Sequence, residues 1–401
     1  MFFTRRKVLG GLAASVWSFS PLARAADGPL VLKADVLGDR LGYSGASPGP
    51  LLRVRLGAAL KLDFANALAE PTILAFPGLR GANASLFAGK GRIGPGEKAA
   101  VAFAPTEAGF NIYGAIIGPD PQKQLPRGLF GPLIVDERDP PQVDLETVAL
   151  FSDSASALSV NGATGPAHFS AAPGARVRLR LGSVSAKGLQ LSFSGANPTV
   201  VAVDGQPSEP FEPRHNQLPV APGARFELLV DLPRDGAAFR ASTLSDDGSE
   251  APVLDFAASG APARERPALE GLPENKRLPR EIALERSRRV TLTLAGDDSG
   301  FRFEGLASGA AAFTVKRGEP VTLALVNKTA APQTLRLTGH VARLLHERDD
   351  GWEPYWRDIL AVAPGKTIHA AFVADNAGTW PLEAVAAQAR NAGLTTLFRV
   401  G

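Results

Sequence analysis

Few side chains in this sequence could ligate a metal or act as a general base. The chain has no cysteine, which excludes disulfides, thiolate metal sites and a cysteine nucleophile. Its five imidazoles belong to His168, His215, His340, His346 and His369. His340 and His346 would share a face of one strand, but about 20 Å apart at ~3.3 Å per residue, whereas ligand bonds are about 2 Å long. We expect the histidines to be structural or solvated.

Other catalytic patterns are weak. The Gly-x-Ser-x-Gly sequence at Gly45–Gly49 is turn-like, and the chain has no phosphate-binding glycine-rich loop or helical His-Glu-x-x-His motif. The acidic pairs Asp246-Asp247 and Asp349-Asp350 could serve acid–base chemistry, but each precedes a glycine, which is more typical of a solvated turn. The aromatic cluster Trp352, Tyr355 and Trp356 could form a recognition surface, although we favour core or interdomain packing.

Two patterns, each occurring three times in the same order, predict the elements around these residues. In the first, a glycine precedes apolar residues at offsets three, five and seven, as at Gly57, Gly174 and Gly318. The first and third copies place an asparagine at offset nine, Asn66 and Asn327. In the second pattern, a Pro-Gly turn leads into another alternating strand, at Pro95-Gly96, Pro222-Gly223 and Pro364-Gly365. Such alternation predicts half-buried strands in an all-β chain.

The three copies predict three consecutive β-sandwich domains of about 100 residues each. We place them at 26–138, 139–260 and 285–401, because the alternation lapses between these ranges. An extended linker is expected at 261–284, where charge and proline suggest a solvated spacer. Near the C-terminus we predict a short helix that has Pro381 in its first turn and stops near Gly393, before a last strand.

The N-terminal residues predict export. Arg5-Arg6 precedes the apolar stretch Val8–Phe19 and the small-residue pattern Ala23-Arg24-Ala25, as in a twin-arginine signal peptide covering residues 1–25. The apolar stretch is shorter than the ~20 residues of a stable membrane anchor. Cleavage after Ala25 would remove four basic residues and change the formal net charge from +3 to −1, which argues against nucleic-acid binding. We expect a periplasmic protein that meets the twin-arginine translocase during export.

Several motifs resemble those of the multicopper oxidases, a family of three-domain, cupredoxin-like proteins. Pro48–Val54 is similar to the family's P-G-P-x-I-R-V opening, and Gly128–Val135 is similar to its G-L-x-G-P-L-I-V segment. Gly351–Asn376 and Gly378–Val400 resemble segments of the family's third domain. The resemblance implies three cupredoxin-like Greek-key β-sandwich domains with a short C-terminal helix.

The copper ligands of the family are missing at the matching positions. In the family, paired histidines on strands hold three coppers between domains 1 and 3, and a cysteine helps to hold a fourth in domain 3. The matching residues here are Ala75, Pro77, Gly114, Ile116, Gln333, Arg336, Thr338, Glu383, Ala384, Val385, Ala389 and Leu394. In the histidine-rich motif of domain 3 only His340 survives, and in the family this histidine is not a ligand. We therefore expect no copper, no other metal and no catalytic residue.

Three functional hypotheses follow. The first is a non-enzymatic periplasmic scaffold with envelope proteins as partners, by analogy with the copper-free SufI/FtsP-type cell-division proteins of the family. The second is a small-ligand binding module that uses the cleft between domains 1 and 3, where Arg336 and Glu383 could form a buried ion pair. The third is an active copper-dependent oxidoreductase, which the missing ligands disfavour.

Overall fold

The computed structural model describes residues 29–80, 87–116, 124–154, 157–307, 310–345, 351, 353–385 and 394–401. Over these residues the chain is nearly all-β, which confirms the predicted fold class. Short 3-10 turns lie at Arg214–Asn216 and Leu284–Arg286. No helix in the described part of the chain is long and apolar enough to cross a bilayer.

The first domain is a sandwich of two sheets, with the strand orders β2-β1-β4-β7 and β3-β9-β8-β5-β6. Its strands are β1 Leu30–Leu37, β2 Arg40–Tyr43, β3 Leu52–Arg55, β4 Leu60–Asn66, β5 Thr72–Ala75, β6 Phe87–Ile93, β7 Lys98–Phe103, β8 Gly109–Gly114 and β9 Phe130–Asp136. Strand β4 shows the predicted alternation, because Leu60, Leu62 and Phe64 are buried in the core while the residues between them are more exposed.

The second domain pairs a seven-stranded sheet, β12-β11-β10-β14-β19-β16-β17, with a five-stranded sheet, β13-β21-β20-β15-β18. Its strands are β10 Leu145–Asp153, β11 Leu158–Val160, β12 Ala163–Thr164, β13 Ala167–Ala171, β14 Arg176–Ser183, β15 Leu189–Ser194, β16 Thr199–Val203, β17 Gln206–Phe211, β18 Gln217–Val220, β19 Arg225–Asp231, β20 Phe239–Leu244 and β21 Glu250–Ala258. Strand β14 is buried on both faces, so its arginines are covered as well as its apolar residues.

The third domain has the sheets β23-β22-β25-β29-β27 and β24-β31-β30-β26-β28. Its strands are β22 Arg288–Asp297, β23 Gly300–Phe303, β24 Ala311–Val315, β25 Pro320–Asn327, β26 Gln333–Leu337, β27 Arg343–Leu344, β28 Ile359–Val362, β29 Thr367–Val373, β30 Gly378–Ala384 and β31 Thr395–Val400. Each domain repeats one pairing: β4, β14 and β25 lie antiparallel to β7, β19 and β29, the strands that follow the Pro-Gly turns.

The asparagines at offset nine in the first and third copies of the sequence pattern, Asn66 and Asn327, explain part of this repeat. The side-chain amide of Asn66 donates to the carbonyl oxygens of Glu70, Ile93 and Gly94. Asn327 donates in the same way to Ala331, Val362 and Ala363. Each amide therefore closes the end of its strand against the segment before the next Pro-Gly turn.

The predicted helix start at Pro381 is wrong. Pro381 lies inside strand β30, opposite Leu397 of β31. Its carbonyl oxygen accepts a hydrogen bond of 3.2 Å from the Thr338 N–H, just beyond the end of β26. In a strand, the N–H and the carbonyl of one residue point to the same side. On that side of Pro381 the pairing with β26 has already ended, so the missing N–H costs no hydrogen bond of the sheet. The remaining helix residues, 386–393, lie outside the described part of the chain.

Most residues of the linker between domains 2 and 3 are exposed, as its composition suggested, but the linker is also anchored to domain 2. It contains no regular strand, but Leu272 is buried against Val201, Ala202 and Leu229 of domain 2. Side chains of domain 2 hold it as well: the Arg176 guanidinium donates to the Pro267 carbonyl at 2.8 Å. The linker is thus a solvated segment that is held to domain 2 at Leu272 and Pro267.

Tyr355 and Trp356 follow the packing interpretation. The ring of Tyr355 stacks on Phe211 of domain 2, with the centroids 5.4 Å apart. Trp356 is buried, and the Arg343 guanidinium lies over its ring at 4.8 Å. Trp352 falls outside the described residues.

Candidate functional site

The domain 1 positions of the candidate site are buried and mostly apolar. Ala75 ends strand β5 and pairs with Gly114 at the end of β8. Pro77 is buried just after β5, and Ile116 is half-buried beyond β8. A Cβ atom at Gly114 would collide with the carbonyl oxygen of Leu129. This position therefore has no room for a side chain of any kind.

The domain 3 positions are buried but polar. Gln333 and Arg336 lie on β26, and Glu383 and Ala384 lie on the neighbouring strand β30, with Arg336 opposite Glu383 in the register. Arg336 and Glu383 are each only 3% exposed. Thr338 follows β26 and is fully buried. The side-chain amide of Gln333 donates to the Thr329 hydroxyl at 3.1 Å.

Three further positions complete the predicted set. Leu394 is buried in the core of domain 3, where its carbonyl oxygen accepts a 2.8 Å hydrogen bond from the Ala384 N–H. Val385 packs into the core cluster of domain 2 rather than that of domain 3. Ala389 lies outside the described residues. The end of β30 therefore brings domain 3 into contact with domain 2.

A buried arginine of domain 2 lies at the centre of this contact. The Arg225 Nη2 atom donates to the Asp204 carbonyl at 2.9 Å and to the Asp358 carboxylate of domain 3 at 2.8 Å. Its Nη1 atom donates to the Gly223 carbonyl at 3.0 Å. The loop of domain 1 also approaches, since a Cβ atom at Gly78 would lie 3.1 Å from Nη2. All three domains therefore meet at this guanidinium.

Asp204 connects the same domains through the backbone. It lies in the turn between β16 and β17 with φ 49°. Its Oδ2 atom accepts hydrogen bonds from the N–H groups of Asp358 and Ile359, at 3.2 and 3.0 Å, and its Oδ1 atom accepts from the Arg225 N–H at 2.9 Å. Burial and the negative charge of Asp358 raise the pKa of Asp204 to about 6, against the opposing effect of Arg225.

Arg336 is buried without a full set of hydrogen bonds. Within the described residues, its Nε and Nη1 atoms have no hydrogen-bond partner. Burial lowers the pKa of Arg336, while the carboxylates of Asp358 and Glu383 oppose that effect. We refer to Asp204, Arg225, Arg336, Asp358 and Glu383 together as the junction cluster.

Sequence models of the multicopper oxidase family match residues 31–140, 138–252 and 283–401. The chain belongs to the multicopper oxidase family. It is 23% identical to the multicopper oxidase MmcO of Mycobacterium tuberculosis over 410 residues, covering 85% of this chain and 79% of that protein. It is 28% identical to the cell division protein FtsP of Proteus mirabilis over 225 residues, covering 48% of this chain and 46% of FtsP.

Solved structures of multicopper oxidases share the fold. The crystal structure of the multi-copper oxidase from Pseudomonas thermotolerans superposes with a TM-score of 0.79 at 23% identity, covering 93% of this chain and 99% of that one. The likeness over almost the full length of both chains agrees with the predicted architecture of three cupredoxin-like domains.

The residues at the family's ligand positions do not fit copper. Those that the structure describes offer hydrocarbon, amide, hydroxyl, guanidinium and carboxylate groups, whereas copper sites of this family need imidazoles and a thiolate. The crowding at Gly114 leaves no space for an imidazole there. In the described part of the chain, no group of three or more His, Cys, Asp or Glu side chains could hold a metal ion.

The surviving histidine of the domain 3 motif is a core residue. The His340 ring lies among the rings of Phe372, Trp380 and Phe398, at centroid distances of 5.2 to 5.8 Å. Its Nε2 atom accepts a 3.4 Å hydrogen bond from the Asn376 N–H. Burial and the positive charge of Arg80 lower the pKa of His340 to about 4. His168, His215 and His369 are exposed, and His346 lies outside the described residues.

Sequence reasoning missed two buried arginines of domain 2, one of which pairs with domain 1. Arg178 donates to Glu227 at 2.8 Å and to Glu137 at 3.1 Å, and Arg180 forms an ion pair with Glu146 at 2.9 Å. Both arginines are 1% exposed. On β14 they alternate with apolar residues, a pattern that is typical of a solvent-facing polar side. In the structure that side is covered, and Arg178 contacts Glu137 of domain 1 there.

Proposed function

We propose that this protein is a copper-free, non-enzymatic member of the multicopper oxidase family that acts as a scaffold or interaction protein in the cell envelope. The junction cluster is the observation that carries the proposal. Two of its members, Arg336 and Glu383, occupy positions that match copper ligands of the family, and the cluster as a whole joins domain 2 to domain 3 through buried charged side chains. The similarity to FtsP supports an envelope role by analogy.

The contacts between domains favour a scaffold over a ligand-binding cleft. Arg80 of domain 1 forms an ion pair with Asp375 of domain 3 at 2.6 Å. At Gly223 of domain 2, the space of a single Cβ atom is already taken by Val385 and Arg336 of domain 3. These close contacts leave domain 3 tightly packed against both of its neighbours, so we do not put forward the cleft as a binding site.

Copper loading tests the loss of oxidase chemistry. The purified protein is reconstituted with copper and then examined by metal analysis, visible spectroscopy and EPR, with oxidation of a phenol as the activity measurement. We expect no stoichiometric copper signal and no oxidation. A variant with one restored ligand, Ala384→Cys, should behave in the same way, because a copper centre needs its full ligand set. Stoichiometric copper or phenol oxidation in either protein would overturn the proposal.

Location and partners are tested in the native host. We propose that the twin-arginine signal directs the protein to the periplasm, so a variant with Arg5 and Arg6 both replaced by Lys should remain in the cytoplasmic fraction. The tagged protein is then isolated from cross-linked cells and its companions are identified by mass spectrometry. Envelope or division proteins enriched over an export-defective control support the scaffold. A protein recovered alone would count against it.

A further inference from the structure

A short part of the linker covers an apolar face of domain 2. The face consists of Val201 and Ala202 of β16 and Leu229 of β19, which form a buried cluster separate from the main core of the domain. Leu272 of the linker completes this cluster. We refer to linker residues 268–274 as the strap. The strap therefore occupies an apolar site on the outside of a folded domain.

Side-chain packing is what attaches the strap to this face. Leu272 is buried there and Leu269 is half-buried, while the residues around them are exposed. Within the described residues, which include the whole linker, the backbone of the strap forms no hydrogen bond. A segment with few buried apolar contacts and no backbone hydrogen bonds opens at a lower free energy than the paired strands beneath it.

Polar contacts fix the chain on either side of the strap. Before it, the Arg176 guanidinium donates to the Pro267 carbonyl at 2.8 Å. After it, the side-chain amide of Asn275 donates to the side chain of Gln206 at 2.8 Å. The Gln206 amide in turn donates to Glu107 of domain 1 at 2.9 Å. The strap can thus lift from the face while both of its ends stay attached to the molecule.

Surface grooves border the strap on several sides. Leu272 lines three of them, with volumes of about 390, 430 and 370 Å³. The first reaches Glu107 of domain 1, the second reaches Trp356 of domain 3, and the third reaches Pro141 at the start of domain 2. Because the strap lies between these grooves, its displacement would join them into one trough across the apolar face.

The strap itself shows which chemistry the face accepts. Its buried leucine precedes Pro273, and a residue before proline is restricted towards extended backbone conformations. Proline also lacks an N–H, so a Leu-Pro pair brings one backbone donor fewer to an apolar surface that offers it no acceptor. A segment that competes with the strap must therefore be extended and must present a leucine followed by a proline.

We propose that the strap is a displaceable cover, and that a partner protein binds domain 2 by inserting an extended Leu-Pro segment in its place. The cover is autoinhibitory, because the strap and the partner compete for Val201, Ala202 and Leu229. The partner half of the proposal rests on the scaffold function proposed above. The movement of the strap does not depend on that function, since it follows from the contacts of the strap alone.

Thiol labelling measures the movement, because the chain contains no cysteine of its own. Ala202→Cys places a thiol beneath the strap, and Ala241→Cys places one in the main core of domain 2. In the full-length chain, we expect a maleimide to label the first at least a hundredfold faster than the second. Adding Leu272→Ala should raise the rate at position 202 at least tenfold. The matched control Leu218→Ala shortens a leucine of the main core and should leave that rate unchanged.

A peptide copy of the strap tests the occupant. The probe is a fluorescein-labelled peptide with the sequence ALEGLPEN, which is that of residues 268–275, and the control peptide is ALEGAPEN. In fluorescence anisotropy, the Leu272→Ala protein should bind the first peptide at least tenfold more tightly than the second. The unchanged protein should bind the first peptide more weakly than the variant does, because its own strap competes.

Each measurement can contradict the proposal. Equal labelling of Ala202→Cys and Ala241→Cys would show that the strap opens only when the whole domain unfolds. Equal binding of the two peptides would show that the face does not select the leucine. Neither measurement needs a partner, so the strap can fail while cross-linking in the native host still supports the scaffold. In those cells Leu272→Ala should increase the yield of partners relative to Leu218→Ala, and an unchanged yield would mean that partners bind elsewhere.

Discussion

The positions that match copper ligands fall into two groups, and the molecule fills them in different ways. In domain 1 they hold apolar residues or no side chain: Ala75, Pro77, Gly114 and Ile116. In domain 3 four of them hold buried polar or charged residues: Gln333, Arg336, Thr338 and Glu383. The side chains of the first group carry no charge or hydrogen-bonding group, so they need no polar partner from another domain. The second places charges in the interior that have to be balanced by residues elsewhere in the chain.

The difference has an energetic consequence. Apolar side chains in a buried site need only close packing, so we expect conservative changes at Ala75, Pro77 and Ile116 to have a modest, local cost, whereas Gly114 has no room for a side chain. Buried charges depend on each other, because removing one partner leaves the others uncompensated in a medium that solvates them poorly. We therefore expect the domain 3 half to be sensitive to single substitutions and to pH, and the domain 1 half to tolerate conservative change.

The largest effect is expected for Arg225→Met. This change removes the guanidinium that forms ion pairs with the buried carboxylates of Asp358, at 2.8 Å, and Asp204, at 4.0 Å, which should lower the free energy of unfolding by about 3–5 kcal/mol. Arg240→Met is the matched control, since Arg240 pairs with Asp255 on the surface and should cost less than about 1 kcal/mol. Equilibrium urea unfolding measures both. Similar midpoints for the two variants would show that the buried charges of the junction cluster are no more sensitive to substitution than a surface ion pair.

Much of the fold could be predicted from the sequence because the repeat is local. The strands after Gly57, Gly174 and Gly318 and those after the three Pro-Gly turns all form and pair as the alternation indicates. Local patterns failed where segments that are distant in the sequence set the environment. The residues around Pro381 alone predict a helix start, but pairing with β31 places Pro381 inside a strand. The residues around Leu272 alone predict a solvated spacer, but Leu272 is buried against domain 2.

The candidate site shows the same limit. The motif frame located the ligand positions, and the missing imidazoles could be read directly from the sequence. Asp204, by contrast, precedes a glycine and looks like an ordinary turn residue. Its partner Asp358 is 154 positions away, and nothing in the sequence near either residue signals that the two meet. Pairings of this kind depend on how domains dock, which strand alternation does not encode.

The second prediction concerns the pH dependence of stability. Asp204 has a pKa of about 6 in the folded chain and an ordinary value of 3.8. Between these values the folded state holds a proton that the unfolded state has lost, so this group should reduce stability as pH rises from about 4 to 6, by up to about 3 kcal/mol. Asp204→Asn should remove this slope. The measurement is urea unfolding of both proteins at intervals from pH 4 to 7.

His340 provides an internal contrast in the same pH range. Its folded pKa of about 4 lies below the ordinary value of 6.5, so its contribution to stability should fall as pH drops through that window, which is the opposite sign. The Asp204 effect is therefore read as the difference between Asp204→Asn and the unchanged protein, in which the His340 contribution cancels. Parallel profiles for the two proteins would mean that Asp204 does not titrate in this range.

The third prediction separates interdomain contact from backbone strain. Gly223 and Gly365 follow prolines in equivalent turns, with φ of 80° and 69°, so alanine should cost each about 1–2 kcal/mol. At Gly223 the new Cβ atom would contact another domain, at 2.5 Å from Val385 and 2.8 Å from Arg336 of domain 3, whereas at Gly365 no atom lies within 4 Å. We expect Gly223→Ala to cost about 1–3 kcal/mol more than Gly365→Ala in thermal or urea unfolding. Equal costs would show that the domains separate easily at this point.

The smallest effect is expected in the domain 1 half, where Tyr43 and Tyr113 are buried with ring centroids 5.4 Å apart. The Tyr113 hydroxyl donates to the Pro50 carbonyl at 2.7 Å, so Tyr113→Phe should cost about 1 kcal/mol. Within the described residues the Tyr43 hydroxyl has no hydrogen-bond partner, so Tyr43→Phe should be neutral or slightly stabilising in thermal unfolding. If Tyr113→Phe instead lowered the free energy of unfolding as much as Arg225→Met, the apolar residues of domain 1 would not make this domain more tolerant of substitution than domain 3. The sensitivity of the molecule would then have to come from general close packing, because charge alone could not explain it.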